Sequence, residues 1–180
     1  MDSAESEAKN NRLAAFDAIV STYEQPLLRY AARILHDNNG AQDVVQDAFL
    51  SLFRNWEGEM APSPHISNWL YRVTHNRAVD YLRHESRRQI LHQRHSEEQD
   101  DVEPPNRGRD FQISDAAARA AAALRTLSLR EQQLVLLKVY EQKSYKEISE
   151  VTGLTVTNVG YILHYAMKKL ATNLKDASHE

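Results

Sequence analysis

The chain has 180 residues, 42% of them apolar, no cysteine and a formal net charge of -3, with a mean hydropathy of -0.62. That suffices for one large or two small helical domains, and the lack of thiols excludes a disulfide framework or a thiolate zinc site. No apolar run approaches the ~18 residues that span a bilayer, and the acidic start MDSAESEAKNNR is not a secretory signal, so a cytoplasmic protein without membrane insertion is expected.

Residues 1–11 are polar and are expected to be disordered. From Leu13 onward, Phe16, Ile19, Val20, Tyr23, Leu27, Ala31 and Ile34 recur at helical spacing, with Pro26 expected to start a new helix or kink the old one. His36 to Gly40 reads as a turn, and the helical period resumes from Ala41 to Trp56 through Val44, Val45, Ala48, Phe49 and Leu52. Glu57 to Ser67, with a glycine and two prolines, reads as a loop. Asn68 to about Leu91 reads as a long helix with Trp69, Leu70, Val73, Ala78 and Leu82 inward and its arginines mostly outward. The first domain is therefore placed at 12–91. Residues 92–114 lose all periodicity and contain HSEEQDDVEPPNRGRD, a solvated acidic linker by composition. Helix returns at Asp115, and Ser128-x-x-Glu131 has the form of a capping box before a helix through Leu134, Val135, Leu137 and Val139. A second domain is placed at 115–174, with a tail at 175–180. No strand is evident, so the fold class is all-α: two small helical domains joined by a flexible acidic linker.

The segment Ser144 to Leu170 carries the most information. Ser144-x-x-Glu147 is another capping box, Gly153 suits the left-handed residue that ends a helix, and Thr155 is placed to cap a second helix. That second helix shows one apolar stripe, Val159, Ile162, Leu163, Ala166 and Leu170. Two short helices about a glycine turn make a helix-turn-helix, and a helix fits the major groove of DNA. Its solvent side would hold Thr155, Thr157, Asn158, Tyr161, His164, Tyr165 and Lys168. Asn158 has the chemistry for a bidentate pair with adenine, and Thr155 for a phosphate bond beside its capping role.

The acidic total does not argue against DNA, because phosphate affinity follows local charge. Residues 1–90 hold 10 basic and 12 acidic side chains, 91–115 hold 3 and 7, and 116–180 hold 9 and 6. Between Arg72 and Arg94 there are six arginines against Asp80 and Glu85. Other constellations are weak: His92-x-x-His95 lacks a third ligand, and no nucleophile–base pair or glycine-rich phosphate loop appears, so no metal, no cofactor and no small-molecule substrate are expected.

The order of these signals resembles the extracytoplasmic-function group of bacterial sigma-70 factors, the minimal type with only the second and fourth conserved regions. The resemblance is carried by Gln42-Asp-Val-Val-Gln-Asp-Ala-Phe49, by Trp69-Leu-Tyr-Arg-Val-Thr-His-Asn-Arg-Ala-Val-Asp-Tyr-Leu-Arg83 with Arg87 and Arg88 following, and by Leu127 through Leu170, nearly all of residues 13–172. It implies a non-enzymatic subunit, nucleoid-associated in a bacterium, that binds core RNA polymerase through the β′ clamp and β flap and directs it to promoter DNA, with an anti-sigma factor as a further partner. Asp43, Gln46, Asp47 and Leu50, on one side of their helix, would be the docking face for the clamp. His65, Ser67 and Asn68 in a specificity loop, with Asn76 and Asp80 nearby, would read the melted -10 element, and Arg77, Arg83, Arg87 and Arg88 would hold its phosphates. Asp80 has an ion pair with Arg77 or Arg83 as its competing role, and Trp69 and Tyr81 are either stacking surfaces or core. The second helix of the helix-turn-helix would read the -35 element through Thr155, Thr157, Asn158, Tyr161, His164 and Lys168, with Lys146, Lys168 and Lys169 as phosphate contacts. It departs from the common pattern, having Gly160, Tyr161, Ile162 and Tyr165 where members often carry lysine, serine and arginine. The alternative on the helix-turn-helix alone is a free-standing regulator that binds duplex DNA without polymerase.

Overall fold

The structure, a computed structural model, describes residues 2–96 and 115–176. The interior of the expected linker, the end of the tail, and the side chains of His92 and His95 lie outside the described residues.

The N-terminal unit packs three helices, α1 (Asp2–Leu35), α2 (Asn38–Asn55) and α3 (Pro64–Ser96). Helix α1 runs through residues 2–11, where disorder was expected, and through Pro26 without a new helix beginning there. Ala4, Glu5, Glu7, Ala8 and Lys9 are good helix formers, and Arg12 anchors that end by donating to the Phe53 carbonyl at 2.9 Å. Across Pro26, one lost amide donor is outweighed by Ile19, Leu27, Tyr30 and Ile34, all buried. Each such side chain contributes about 1.5–3 kcal/mol on burial. His36, at φ 54°, ends α1. Asp37 then caps α2 by accepting from the Asn39 amide at 3.0 Å, so Gly40 lies in the first turn of α2 rather than in a connecting turn.

The start of α3 also differs from expectation. Ser63 accepts from the Ile66 amide at 3.3 Å and Pro64 is the first helical residue, so His65, Ile66 and Ser67 belong to the helix and not to the preceding loop. Serine at the cap followed by proline at the first position is a helix-start signal in its own right. Ile66, Leu70 and Ala78 then bury against Leu27, Val44, Val45, Ala48 and Leu52.

The C-terminal unit holds α4 (Asp115–Arg125), α5 (Leu129–Val135), a π-helical continuation (Leu136–Tyr140), α6 (Tyr145–Thr152) and α7 (Val156–Asp176). Both expected capping boxes form, with Ser128 accepting from Glu131 and Ser144 from Glu147. Gly153 is left-handed at φ 72° and ends α6. Leu134, Leu137, Ile148, Val151, Val159, Leu163 and Ala166 form the core. The two units meet where α6 packs on α3 and α5 on α1.

Candidate nucleic-acid interface

Burial of Val44, Val45, Ala48, Phe49 and Leu52 turns the opposite side of α2 to solvent, so Asp43, Gln46, Asp47 and Leu50 share one exposed face. The Asp47 carboxylate accepts from Arg77 at 3.1 Å, and Arg77 also donates to Ser51 at 2.6 Å. Arg77, expected on phosphates, thus stands in the seam between α2 and α3. Tyr81 donates to Asp37 at 2.8 Å. That bond, then burial, pushes the phenol up to about 12. Trp69 is half-buried, edge-on to Trp56 at 6.0 Å.

At the start of α3, His65 is exposed and lies 5.2 Å from the Trp56 ring. The two rim a cleft of about 400 Å³ with Gly58 and Ser63. Trp56 is an aromatic wall that sequence reasoning passed over as the last residue of a helix. Ser67 and Asn68 are buried, only 9% and 5% exposed, against the C-terminal unit. Lys143 donates to Ser67 Oγ at 3.2 Å and to Asn68 Oδ1 at 2.9 Å. Asn68 Nδ2 in turn donates to Glu150 at 2.7 Å. Beside them, Tyr71 donates to Glu141, and the Lys143 amine sits 4.7 Å above the Tyr71 ring. Burial pulls the Lys143 amine down, while Glu147, Glu141 and Glu150 hold it up. Lys143, Glu141 and Glu150 carried no signal in sequence, because they act across the domain boundary.

Further along α3, Asn76, Asp80, Arg83, Arg87 and Arg88 are exposed. Asp80 takes Arg83 as its partner, at 3.0 Å, rather than Arg77. Asn76, Asp80 and Arg83 line a cleft of about 590 Å³ whose far wall holds Arg130 and Gln133 from α5. His75 borders the same cleft, bonded through Nδ1 to the Tyr30 hydroxyl at 3.2 Å. Burial, with the Arg130 charge adding, pulls His75 down to about 4. Among the described residues no group of three histidine or carboxylate side chains is placed to hold a metal, and no helix is long and apolar enough to cross a membrane.

Helix α7 is presented differently. Thr155 caps it by accepting from the Asn158 amide at 3.2 Å. Thr155, Thr157, Asn158, Tyr161, His164 and Lys168 are all exposed on one side, and Lys146 is exposed on α6. The Tyr161 and Tyr165 rings lie 4.6 Å apart between centroids, tilted by 52°, with His164 edge-on to Tyr165 at 5.4 Å. Lys169 does not join that face: it bonds Glu131 on α5 at 2.5 Å. Gly160 packs beside the Tyr145 ring of α6.

A capped helix with an exposed polar face in one unit, and an arginine-lined helix in the other, fit a two-domain, all-helical DNA-binding protein. Residues 19–88 match the model of sigma-70 region 2, and residues 117–170 match that of sigma-70 region 4. The chain belongs to the sigma-70 family and is an RNA polymerase sigma factor of the extracytoplasmic-function type. It is 25% identical over 160 residues to the RNA polymerase sigma factor YlaC of Bacillus subtilis, covering 88% of this chain and 91% of that one. It is 28% identical over 162 residues to the RNA polymerase sigma-E factor of Streptomyces avermitilis, covering 89% and 85%. Its fold matches that of CnrH, solved with the cytosolic domain of CnrY, at a TM-score of 0.67 and 20% identity over 95% of this chain and 94% of that one. It also matches the sigma factor RpoE from Bartonella quintana, solved with the anti-sigma factor NepR, at 0.60 and 19% over 94% and 97%. These matches support the sigma factor and not a free-standing regulator.

Proposed function

We propose that this sigma factor divides its work among three surfaces. The exposed face of α2, through Asp43, Gln46, Asp47 and Leu50, docks on the β′ clamp of core RNA polymerase. Acid meets base there while Leu50 adds apolar contact. Arg77 serves this face by holding Asp47 in register. The β flap is met by the C-terminal unit, whose apolar groove of about 260 Å³ between Leu124, Val139, Met167 and Leu170 is the surface fitted to it.

The start of α3 (His65, Ser67, Asn68), with Asn76 and Asp80, reads the melted -10 element, while Arg83, Arg87 and Arg88 engage phosphates. Strand opening needs no hydrolysis here: an unpaired base is held by hydrogen bonds and stacking. The exposed face of α7, with Lys146 beside it, reads the -35 duplex in the major groove. The protein acts in the cytoplasm at the nucleoid and performs no chemistry itself. An anti-sigma factor is a fitting regulator, since the two structural neighbours were solved with such partners or with a partner's cytosolic domain.

The observation that carries the reading is the pairing of a polymerase-type region with a helix-turn-helix in one chain. In vitro transcription with purified core polymerase tests it. Initiation should depend on this chain, and Asp43→Lys should cut it at least about tenfold, the scale of one close interfacial charge pair, with unchanged thermal melting. Initiation that ignores Asp43→Lys would remove α2 from the polymerase contact.

A further inference from the structure

Ser67 and Asn68 are the residues assigned above to an unpaired base, and both already have partners inside the protein. The Asn68 amide is used at both ends: its oxygen accepts from Lys143 at 2.9 Å and its nitrogen donates to Glu150 at 2.7 Å. The same Lys143 amine covers Ser67 Oγ at 3.2 Å. One donor set beside one acceptor is the pattern that the Watson–Crick edge of any unpaired base presents, and base pairing hides that edge in a duplex.

We propose that Lys143 and Glu150 act as a built-in stand-in for an unpaired base, closing the -10-reading residues of the free protein until the two domains part. This rests on the assignment of Ser67 and Asn68 to the -10 element.

The placement of Lys143 is built rather than incidental. The π-helical continuation of α5 ends at Tyr140, and Gln142 follows in the left-handed region at φ 51°, a conformation unusual for a side chain of its size. That turn is fastened by the Lys143 amide bonding the Leu137 carbonyl at 3.0 Å and by Lys138 Nζ bonding the Lys143 carbonyl at 3.3 Å. The result directs a lysine into the domain junction, where it is 6% exposed. Flanking contacts come from Tyr140, whose ring lies 4.1 Å from the Arg33 guanidinium, and from Glu141 on Tyr71. A junction built on a buried amine is separable by nature, because desolvating that charge offsets much of what its hydrogen bonds contribute. An apolar junction of the same size would hold the domains more tightly.

The stand-in occupies only one surface. The α2 face and the α7 face are both exposed in the same closed arrangement. Polymerase docking therefore does not require prior opening, whereas -10 reading does. An order follows: the closed chain meets the polymerase first, and the single-strand reader is uncovered afterwards.

The test uses the full chain and a fluorescent, random-sequence single-stranded DNA pool, followed by anisotropy, with the same pool as duplex for comparison. Lys143→Ala and Glu150→Ala are each expected to tighten single-strand binding about tenfold, the scale of one recovered bidentate contact, and to leave duplex binding within about twofold. The double variant Asn68→Ala/Lys143→Ala should fall back to the wild-type value, since the gain passes through Asn68. No gain in either folded variant, or the same gain with Asn68 removed, overturns the proposal. If Lys143→Ala melts early, Glu150→Ala decides, because Glu150 is exposed on α6 and its loss leaves the α6 core intact. A wild-type chain that drives initiation on core polymerase, with neither variant gaining single-strand affinity, sinks the stand-in and spares the sigma reading. A wild-type chain that fails to initiate is the failure of that reading instead.

Discussion

At the start of α3, Ser67 and Asn68 are buried, and their side chains hydrogen-bond to Lys143 and Glu150 of the other domain. At the start of α7, Thr155, Thr157 and Asn158 stand exposed, and the Thr155 hydroxyl is spent on the helix's own cap. Both are helix N-terminal turns offered to DNA, yet one is filled and the other open. The contrast follows from what each is proposed to read. A major groove accepts a rigid, solvated helix without rearrangement. An unpaired base requires a pocket of desolvated donors and acceptors, and such groups are costly when buried without partners. The free protein supplies those partners from its second domain.

The open face gives the largest expected effect. Asn158→Ala should weaken binding to the protein's own -35 duplex by about 10- to 100-fold, the discrimination carried by one bidentate base contact. Its melting should not fall, since alanine is the better helix former. Genome-wide mapping supplies the duplex, and a fluorescence titration reads the loss. If the loss is uniform over all sequences, Asn158 touches backbone, and the base contact belongs to Tyr161 or His164.

The filled side has an acid-sensitive neighbour. His75 lies under the same domain junction with its pKa pulled down to about 4 by burial first and Arg130 second, against 6.5 in the unfolded chain. The unfolded state therefore takes up the proton more readily. Full stability is present above about pH 6.5 and declines as pH falls toward 4, by about 2 kcal/mol at pH 5. Urea titrations at pH 7 and pH 5 should show this decline, and His75→Gln should flatten it. A decline of equal size in His75→Gln would assign the acid sensitivity elsewhere.

Much of this architecture was legible in sequence where the signal is local. Ser128 and Ser144 with their glutamates three residues on, and Gly153 at the turn, need only their immediate neighbours to specify a helix end. The α2 face was legible for a similar reason, since the spacing of Val44, Val45, Ala48 and Leu52 dictates which side is left for Asp43 and Leu50. The start of α3 was misjudged because Gly58, Pro62 and Pro64 read together as loop, although Ser63-Pro64 is itself a cap followed by a first-turn proline. Residues 2–11 were misjudged because polarity suggests disorder, while helix formers continuing into a packed helix suggest the opposite. The Lys143 contacts were not legible at all. Nothing local to Gln142-Lys143-Ser144 points 75 residues back along the chain, and a lysine before a capping box reads as surface.

Gly160 gives the smallest effect and the sharpest check on the open face. A glycine at this position permits close approach either of a phosphate or of another helix. In the structure a Cβ at this position would meet only the Tyr145 ring, at 3.5 Å, an ordinary van der Waals distance. The backbone there needs no glycine conformation, as Gly160 is not among the positive-φ residues. Gly160→Ala should therefore stabilise the protein by about 0.5–1 kcal/mol through the lower entropy cost of alanine in a helix, visible as a rise in melting temperature. Its effect on duplex binding then separates the two roles. Unchanged affinity means that the glycine serves packing against Tyr145 alone. A stabilised protein that binds its duplex less tightly would show that DNA backbone approaches α7 within the space of one methyl group at the edge where α7 meets Tyr145.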